Sequence, residues 1–207
     1  RIRFSSMEHL AIENEFVARL SKLPQVGDHY HLSLQSGCNR TLKRMNRKYN
    51  AEQYAEACER LRNAFPNVAI TTDIIVGFPD ETEEDFKESL AFAERMKLDK
   101  IHTFPYSPKK GTPAAKMKNQ ISGDVKSQRS KEMIALSDKM NIDFLNNNIG
   151  KTVPVLFEDM ENGFWQGHTT NYIKVLAKSD ENLNNKIVDV KLDKIHGVEI
   201  VEGTVVK

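Results

Sequence analysis

Residues 68–78 read VAITTDIIVGF, an apolar and largely β-branched run that is interrupted by one carboxylate, that of Asp73. This composition is typical of a strand in a parallel sheet that is covered on both faces. After the run, Thr82 precedes three acidic residues and an apolar stripe of helical period, which predicts a helix with a capped N-terminus. The stretch therefore predicts a buried strand followed by a crossover helix.

The same alternation of strand and helix extends through the first half of the chain. Strands are predicted at 2–6, 30–34 and 100–106, and Asn50 with Gln53 forms the N-cap and N3 pair of another helix. This order indicates an α/β fold with about four parallel strands and right-handed crossovers. Four strands are too few for an eight-stranded barrel, so the sheet is either open or part of a barrel that begins upstream.

The second half of the chain changes character near Gly150. A stretch rich in proline and lysine (107–119) and a long predicted helix (123–147) lead to this point. Beyond it, five short strands separated by Asn, Gly and Asp turns are predicted at 153–158, 164–168, 173–177, 187–192 and 199–206. Such spacing is typical of a small all-β barrel of the oligonucleotide-binding sort. We therefore predict two domains, residues 1–149 and 150–207.

The composition excludes several classes of protein. Of the 207 residues 39% are hydrophobic and 29% charged, the formal net charge is +1, and no apolar run approaches the roughly 20 residues of a membrane helix. Cys38 and Cys58 are too few for a disulfide framework or a four-thiolate metal site, so we expect a reducing, cytoplasmic setting. The chain opens at Arg1 inside a predicted strand, without an initiator methionine, and we expect it to be a fragment.

Polar residues or glycine follow every predicted strand of the first half, where ligands bind in parallel α/β folds. The segments are 5–8 (SSME), 35–37 (QSG), 77–81 (GFPDE) and 105–108 (PYSP). Four such strand ends together favour a ligand-binding site. The alternative is that these residues are the polar residues and glycines common in any loop. The ligand would have hydroxyls for Ser6 and Glu8 and a flat group close to the backbone at Gly77.

Single residues are less decisive. Asp73 lies in an apolar strand and needs a partner, either a ligand or a neighbouring lysine. His29 and His31 alternate onto one strand face, as two metal ligands would, although packing is the commoner role of such a pair. Cys38 follows a loop glycine and could react, but nothing near it in sequence lowers a thiol pKa, while Cys58 lies on a predicted apolar helix stripe.

Two basic runs stand out although the total charge is near zero. The first comprises Arg40, Lys43, Arg44, Arg47 and Lys48, and the second begins with Lys109 and Lys110 and extends to residue 131. They are either solvated faces or a groove for a phosphate backbone, and the predicted barrel favours the groove. In the barrel, Phe164, Trp165, His168 and Tyr172 could stack on bases.

Several segments resemble the radical S-adenosylmethionine (radical SAM) methylthiotransferases. They are IRFSSME (2–8), HLSLQSG (31–37), KRMNR (43–47), TTDIIVGFP (71–79), YSP (106–108) and GTPAA (111–115). Residues 150–172 resemble the family's terminal TRAM domain. The resemblance implies part of a radical SAM (βα) barrel followed by a TRAM RNA-binding β-barrel.

The resemblance also implies a reaction. Two subfamilies act on tRNA and one on a ribosomal protein. HTFPYS (102–107) and TPAAKM (112–117) look most like the enzyme that adds a methylthio group to C2 of N6-threonylcarbamoyladenosine next to the anticodon, with the isopentenyladenosine enzyme second. The implied cofactors are S-adenosylmethionine and two [4Fe-4S] clusters, and the implied partner is the tRNA anticodon loop.

The family's cofactor contacts carry over residue by residue. Ser6 and Glu8 would contact the ribose and methionine parts of S-adenosylmethionine, and Gln35 would face the reacting groups. Asp73 to Gly77, with Phe78 beside them, would lie along the adenosine. Tyr106 and Ser107 would pass their backbone by its adenine.

The chain also departs from the family pattern. The C-x-x-x-C-x-x-C run that binds a cluster is absent, so this piece alone is expected to be inactive, its clusters being bound by residues upstream. Asp80 stands where the family usually has glycine. Two rival hypotheses are a stand-alone RNA-binding protein and a cluster-free enzyme that uses Asp73, Glu81 and His31 as acid and base.

Overall fold

The computed structural model describes residues 1–206 and contains a four-stranded sheet with helices and a closed five-stranded barrel. The first unit comprises β1 (Ser6–Met7), α1 (Asn14–Leu20), β2 (His29–Leu32), α2 (Asn39–Arg44), α3 (Ala51–Ala64), β3 (Ala69–Val76), α4 (Glu83–Met96), β4 (Lys100–Pro105) and α5 (Gly123–Asn146). The barrel comprises β5 (Thr152–Glu161), β6 (Phe164–His168), β7 (Lys174–Ala177), β8 (Ile187–His196) and β9 (Ile200–Val205).

The sheet has the order β1-β2-β3-β4, and all its neighbouring strands are parallel. This confirms the α/β prediction. The first strand is shorter than predicted, because only Ser6 and Met7 pair with β2, while Ile2 makes an isolated bridge to Val26 instead. Helix α2 was not predicted.

Helices α3 and α4 begin where the sequence indicates. Asn50 and Gln53 form a capping box at the start of α3, and Thr82 and Asp85 form another at the start of α4. Each box satisfies two backbone groups that would otherwise lack partners in the first helical turn. The start of α4 is thereby fixed directly after the end of β3.

Only one face of the sheet packs into the helical core. Residues such as Tyr30, Leu32, Ile70 and Ile74 are buried against the helices. The other face of β3 carries Thr71, Asp73 and Ile75 and lines two cavities. The prediction that apolar packing covers both faces of this strand was therefore wrong for the face that lines the cavities.

The barrel closes in the order β5-β6-β7-β9-β8 around an apolar core that includes Phe157, Trp165 and Leu192. Gly167 permits the close approach of β5 and β6, since a Cβ at this position would lie 2.3 Å from the carbonyl oxygen of Leu156. Leu145, near the end of α5, is buried in the same core. The long helix therefore contributes to both units.

The barrel lies against the amino ends of the sheet strands. Lys100 Nζ is 2.6 Å from Glu199 Oε1, and the Asn171 side-chain amide donates to the carbonyl of Asn67 at 3.1 Å. Asn141 of α5 donates to the carbonyl of Val198. These polar contacts fix one orientation of the two units. None of the helices within residues 1–206 combines the length and the apolar character needed to span a membrane.

Candidate functional site

A cavity of about 470 Å³ lies at the carboxyl ends of the strands, where the sequence predicts a ligand. We call it the carboxyl-end cavity. It is lined by Gln35, Asp73, Ile75, Phe104, Pro105, Tyr106, Ser107, Lys109, Thr112 and Ala114. Four of the eight predicted cofactor residues (35, 73, 106 and 107) are therefore brought together. The mainly apolar wall with a few polar groups is typical of a small-molecule site.

Gln35 enters this cavity from a constrained backbone. Its φ is +70°, in the left-handed region that a residue with a side chain seldom adopts. Its N–H donates to the carbonyl of Asp73 at 2.8 Å, and its carbonyl accepts from the N–H of Ile75 at 2.9 Å. Strain of this kind is held in place by surrounding structure and is concentrated at functional sites.

Asp73 stands at the boundary of the cavity and is half-buried. Its Oδ2 is 3.4 Å from Nε2 of His31, which is the one ion-pair partner it has within residues 1–206. Nδ1 of His31 lies 3.0 Å from the hydroxyl of Thr71. The sequence left either a ligand or a neighbouring lysine as the partner of Asp73. The structure places a histidine beside it, and Asp73 also lines the cavity.

Tyr106 forms the opposite wall together with Ser107. The Tyr106 N–H donates to the carbonyl of Val76 at 2.9 Å, which continues the sheet pairing beyond β4. Its hydroxyl is buried, and no hydrogen-bond partner is present among the described residues. A buried hydroxyl without a partner is costly unless a ligand or water completes it.

Gly77 and Phe78 support this wall but do not line the cavity. The ring of Phe78 is buried and packs edge-on against Tyr106 at 5.1 Å. Gly77 has φ +71°, and a Cβ there would lie 2.2 Å from Cγ of Lys126. The space predicted for a flat ligand group beside Gly77 is thus filled by a side chain of α5.

Ser6 and Glu8 also lie outside the carboxyl-end cavity. Ser6 pairs in register with His31 and lines the second cavity, described below. Glu8 is exposed directly after β1, with its Oε1 4.0 Å from Nη1 of Arg47. Both remain on the sheet edge next to the predicted site, but they do not meet the other four residues in one cavity.

The second cavity, of about 560 Å³, lies between the amino half of the sheet and the barrel. We call it the amino-end cavity. Its walls carry many ionisable groups, including His29, His31, Asp73, Asp99, Lys100, His102, His168 and Glu199. His29 is buried, and burial, with a smaller contribution from the positive charge of Arg3, lowers its pKa to about 4. This imidazole is therefore neutral near pH 7.

Tyr172 and His168, predicted to stack on bases, instead form part of this interdomain wall. The guanidinium of Arg3 lies 3.4 Å from the centre of the Tyr172 ring. The His168 ring stacks on Tyr172 with centroids 4.3 Å apart and 10° between the planes. His29 contacts the same tyrosine ring at 5.0 Å. Tyr172 thus joins the barrel to β2 and to the segment before β1.

Comparison with known proteins agrees with this geometry. Residues 4–93 match the Radical SAM superfamily. The chain is 39% identical over 212 residues to the threonylcarbamoyladenosine tRNA methylthiotransferase MtaB of Bacillus subtilis, covering 100% of the chain and 47% of the relative. It is 41% identical over 196 residues to the tRNA-2-methylthio-N(6)-dimethylallyladenosine synthase of Thermoanaerobacter sp. (strain X514), covering 93% of the chain and 41% of the relative. Along its whole length the chain is thus similar to radical SAM methylthiotransferases. It spans less than half the length of these curated relatives.

Solved structures of lower identity support the fold alone. Coproporphyrinogen III oxidase (HemN) from Escherichia coli, described as a radical SAM enzyme, superposes with a TM-score of 0.55 at 15% identity, over 80% of this chain and 45% of that one. The archaeal Elp3 of Methanocaldococcus infernus superposes with a TM-score of 0.50 at 12% identity, over 90% of this chain and 55% of that one.

The side chains of the described residues do not fit an iron–sulfur cluster. Cys38 and Cys58 are both buried free thiols, and burial raises the pKa of each, that of Cys58 to about 12. No group of three His, Cys, Asp or Glu side chains suited to a metal occurs within residues 1–206. The donor set therefore fits neither a cluster nor the metal considered for His29 and His31.

The departure at Asp80 has a backbone explanation. Asp80 adopts φ +70°, a conformation that glycine reaches without steric cost. Its side chain offsets the strain with two contacts, since Oδ1 accepts from the Asn119 amide at 2.9 Å and Oδ2 lies 2.8 Å from Arg44. Asp80 therefore connects the turn to Asn119 and Arg44, whereas a glycine would only remove the backbone strain.

The first basic run is mostly engaged within the chain. Nε of Arg40 donates to Asp85 Oδ1 at 2.6 Å, and Arg44 pairs with Asp80 and Asp85. Burial alone would raise the pKa of Asp85, but hydrogen bonds from Arg40 and the Thr82 amide outweigh it and lower that pKa to about 2. Arg40 and Arg44 are thus structural ion-pair partners, whereas Lys43, Lys48, Lys109 and Lys110 remain exposed.

Trp165 lies in the barrel core with 8% of its surface exposed. Its ring is packed among core residues and offers no free face to a base. The neighbouring Phe164 is half-buried, and Lys178 Nζ lies 4.9 Å from its ring centre. The strand pattern of the sequence could have distinguished Phe164 from Trp165, because successive residues of a strand point to opposite faces.

The structural roles of three residues that support the cavity were not predicted from the sequence. The residues are Lys126, Arg129 and Glu81, the last of which was considered only as an acid or base. The two cations belong to the second basic run, which was interpreted as either a solvated face or a groove for a phosphate backbone. They lie, however, at a helical spacing from the buried Met133 and Met140 of α5, which predicts an inward stripe.

Proposed function

We propose that the complete polypeptide containing this chain is a tRNA methylthiotransferase that adds a methylthio group to C2 of N6-threonylcarbamoyladenosine next to the anticodon. The carrying observation is that Gln35, Asp73, Tyr106 and Ser107, which the family resemblance assigns to cofactor contacts, converge on one nucleoside-sized cavity. Identity of 39% to a threonylcarbamoyladenosine enzyme along the whole chain supports this substrate. Action on tRNA implies a cytoplasmic enzyme.

The carboxyl-end cavity fits the adenosine part of S-adenosylmethionine. Ile75 and Phe104 offer apolar surface to a purine, and the carboxylate of Asp73 would accept hydrogen bonds from ribose hydroxyls. The unpartnered Tyr106 hydroxyl would gain a partner. When bound, S-adenosylmethionine supplies the group that abstracts the C2 hydrogen and, as a second molecule, the methyl group. Contacts from Ser6 and Glu8 to the ribose and methionine parts stay a prediction.

The protein's own residues would position this cofactor and exclude water. Gln35, held in its left-handed conformation, points an amide at the reacting end of the cavity. The segment with Lys109, Thr112 and Ala114 covers one side of the cavity and limits access of solvent. The [4Fe-4S] clusters expected from the family would be held by residues outside this chain.

For the RNA partner we propose the exposed lysines of the two basic runs. Lys43 and Lys48 lie in or after α2, and Lys109 and Lys110 lie in the covering segment. Lysines of this kind contact phosphates and set the salt dependence of RNA binding. The barrel, proposed as a TRAM domain for residues 150–207, would add contacts through its outer surface.

The test uses the complete polypeptide, reconstituted anaerobically with iron and sulfide. It is incubated with S-adenosylmethionine and tRNA bearing N6-threonylcarbamoyladenosine, and the nucleosides are identified by mass spectrometry. We expect a product heavier by one methylthio group, lost in Asp73→Ala and retained in the exposed control Asp124→Ala. No product with intact clusters would overturn the proposal.

The second candidate is the dimethylallyladenosine enzyme, favoured by the 41% identity to the Thermoanaerobacter relative. A product formed only with tRNA that bears isopentenyladenosine would select it. A product on a ribosomal protein would select the third subfamily, and RNA binding without any product would favour a non-catalytic protein.

A further inference from the structure

The first turns of α5 contact the residues that follow β3 and β4 and lie outside the lining of the carboxyl-end cavity. The aliphatic chain of Lys126 fills the space over Gly77, where a Cβ would lie 2.2 Å from its Cγ. Its ammonium Nζ donates to the carbonyl oxygen of Tyr106 at 3.0 Å. Lys126 is therefore half-buried between the ends of β3 and β4 and does not extend into solvent.

Arg129, one turn further along α5, anchors the same region. Its Nη1 donates to Glu81 Oε1 at 2.8 Å, and the same Oε1 accepts the N–H of Gly77 at 2.8 Å. The two side chains are almost fully buried, with 7% and 3% of their surfaces exposed. This buried pair fixes the turn after β3 and, with it, the position from which Lys126 reaches Tyr106.

The contact with the Tyr106 carbonyl has a geometric consequence for the cavity. The carbonyl of Tyr106 and the N–H of Ser107 belong to one planar trans peptide, so they point in opposite directions. Since the oxygen is held from behind by Lys126, the Ser107 N–H is turned toward the cavity that Ser107 lines. No hydrogen bond from this N–H is present within residues 1–206.

We propose that Lys126 is a positioning residue for the cofactor. By holding the Tyr106 carbonyl, it presents the Ser107 N–H as a fixed donor to a ring nitrogen of the adenine of S-adenosylmethionine. The inference rests on the proposed function for the identity of the ligand. Lys126 itself does not touch the cofactor; its effect is transmitted through one peptide group.

The experiment compares three variants of the complete, reconstituted polypeptide. Lys126→Met keeps the aliphatic packing over Gly77 and removes the donor, whereas Lys126→Arg keeps a cationic donor. Lys131→Met is the control, since Lys131 is an exposed lysine of the same helix. The Kd for S-adenosylmethionine is measured by calorimetry without reductant, so that the ligand is not consumed, and Tm is measured in parallel.

We expect Lys126→Met to raise this Kd about five- to tenfold, the effect of losing roughly one well-placed hydrogen bond. Its Tm should stay within about 3 °C of wild type, since packing is retained. Lys126→Arg should recover most of the affinity, and Lys131→Met should change neither quantity. In turnover, the KM for S-adenosylmethionine should rise more than kcat falls.

An unchanged Kd in Lys126→Met would overturn the inference, as would an equal increase in Lys131→Met. A large fall in Tm that Lys126→Arg does not reverse would assign Lys126 to fold stability alone. Failure of the proposed function gives a different pattern. In that case the wild type forms no methylthio product on either tRNA, whatever the variants do to the Kd.

Discussion

The two cavities share one face of the same sheet and two of their lining residues, Asp73 and Phe104, yet their chemistry differs. The wall of the carboxyl-end cavity consists mainly of apolar and backbone groups. The ion pair of Glu81 and Arg129 supports this wall but does not line the cavity. The amino-end cavity exposes histidines, a lysine and carboxylates directly, and the barrel forms its other side. We propose the carboxyl end as the ligand site, whereas the amino-end cavity lies between the sheet and the barrel.

The difference shows how a sheet face can serve two purposes. At the carboxyl end, ion pairs such as Glu81 with Arg129 are buried and fix loops. At the amino end, pairs such as Lys100 with Glu199 are accessible to water and bridge the units. Buried pairs are costly to break, whereas exposed pairs contribute little each. The two ends should therefore respond very differently to single substitutions.

The largest effect is expected from Arg129→Met. Removing this guanidinium leaves Glu81 buried without its charge partner, and such losses cost about 3–5 kcal/mol. The free energy of unfolding, measured with urea, should fall by that amount. The matched control is Lys139→Met, because Lys139 of α5 also forms an ion pair, with Glu94 of α4 at 3.3 Å, but both of these groups are exposed. A loss under about 1 kcal/mol is expected there; equal losses would refute the contrast.

The second effect concerns pH and the amino end. Burial raises the pKa of Asp99 to about 7, although the N–H of Ile70 donates to its Oδ2 at 2.6 Å. Between about pH 4 and pH 7 the folded chain then holds a proton that the unfolded chain has lost, so stability falls as pH rises through this range, by at most about 4 kcal/mol. Asp99→Asn keeps an acceptor for Ile70 and should remove this slope.

The comparison must use the difference between wild type and Asp99→Asn at each pH. His29 acts in the opposite sense, since its lowered pKa makes stability fall as pH decreases from about 6.5 toward 4. Its contribution is common to both proteins and cancels in the difference. Urea unfolding at pH 5, 6, 7 and 8 provides the measurement. A difference that does not change with pH would show that Asp99 is ionised throughout.

A smaller effect is expected at the joint between the domains. Tyr172→Ala removes the ring held between Arg3 and His168, and cation–π and stacking contacts of this kind contribute about 1–2 kcal/mol. Hydrogen exchange should increase at 169–173. Affinity for S-adenosylmethionine should not change, because the ring lies at the other end of the sheet.

The control for this joint is Phe164→Ala. Phe164 also lies beside a cation, Lys178, but on the outer surface of the barrel. It should leave exchange at 169–173 unaltered. If Tyr172→Ala also left those amides protected, Tyr172 would be free for the base-stacking role predicted from the sequence.

Much of the fold could be predicted because its signals are local. The two helix caps follow from residue types at fixed spacing, and β6 has the predicted bounds because Gly163 and the turn after His168 delimit it. Helix α2 was missed because its six residues are dominated by cations and its N-cap, Cys38, provides no side-chain hydrogen bond. Short helices of this kind depend on the buried Leu42 and Thr41, not on propensity.

The site was only partly predictable for a different reason. Sequence shows which residues follow a strand, and these include Gln35, Tyr106 and Ser107, whereas Asp73 within β3 was indicated by the family resemblance. All four line the carboxyl-end cavity, and their cofactor contacts stay a prediction. The sequence does not show which residues another element covers. Lys126 of α5 fills the space beside Gly77, and the Tyr172 ring lies between Arg3 and His168. Such contacts are between distant parts of the chain and leave no local pattern. The role of Tyr172 in RNA binding stays a prediction.

The smallest effect tests the turn behind the carboxyl-end cavity. In Asp80→Gly the left-handed backbone is relaxed while the contacts to Arg44 and Asn119 are lost, so the two terms should nearly cancel, within about 1 kcal/mol. Asp80→Ala loses the same contacts and keeps the strain, and it should cost about 1–2 kcal/mol. Urea unfolding of both variants measures the difference. If Asp80→Gly proved as destabilising as Asp80→Ala, the side-chain contacts of Asp80 would determine the stability of this turn. The left-handed backbone would then contribute little to the free energy of unfolding.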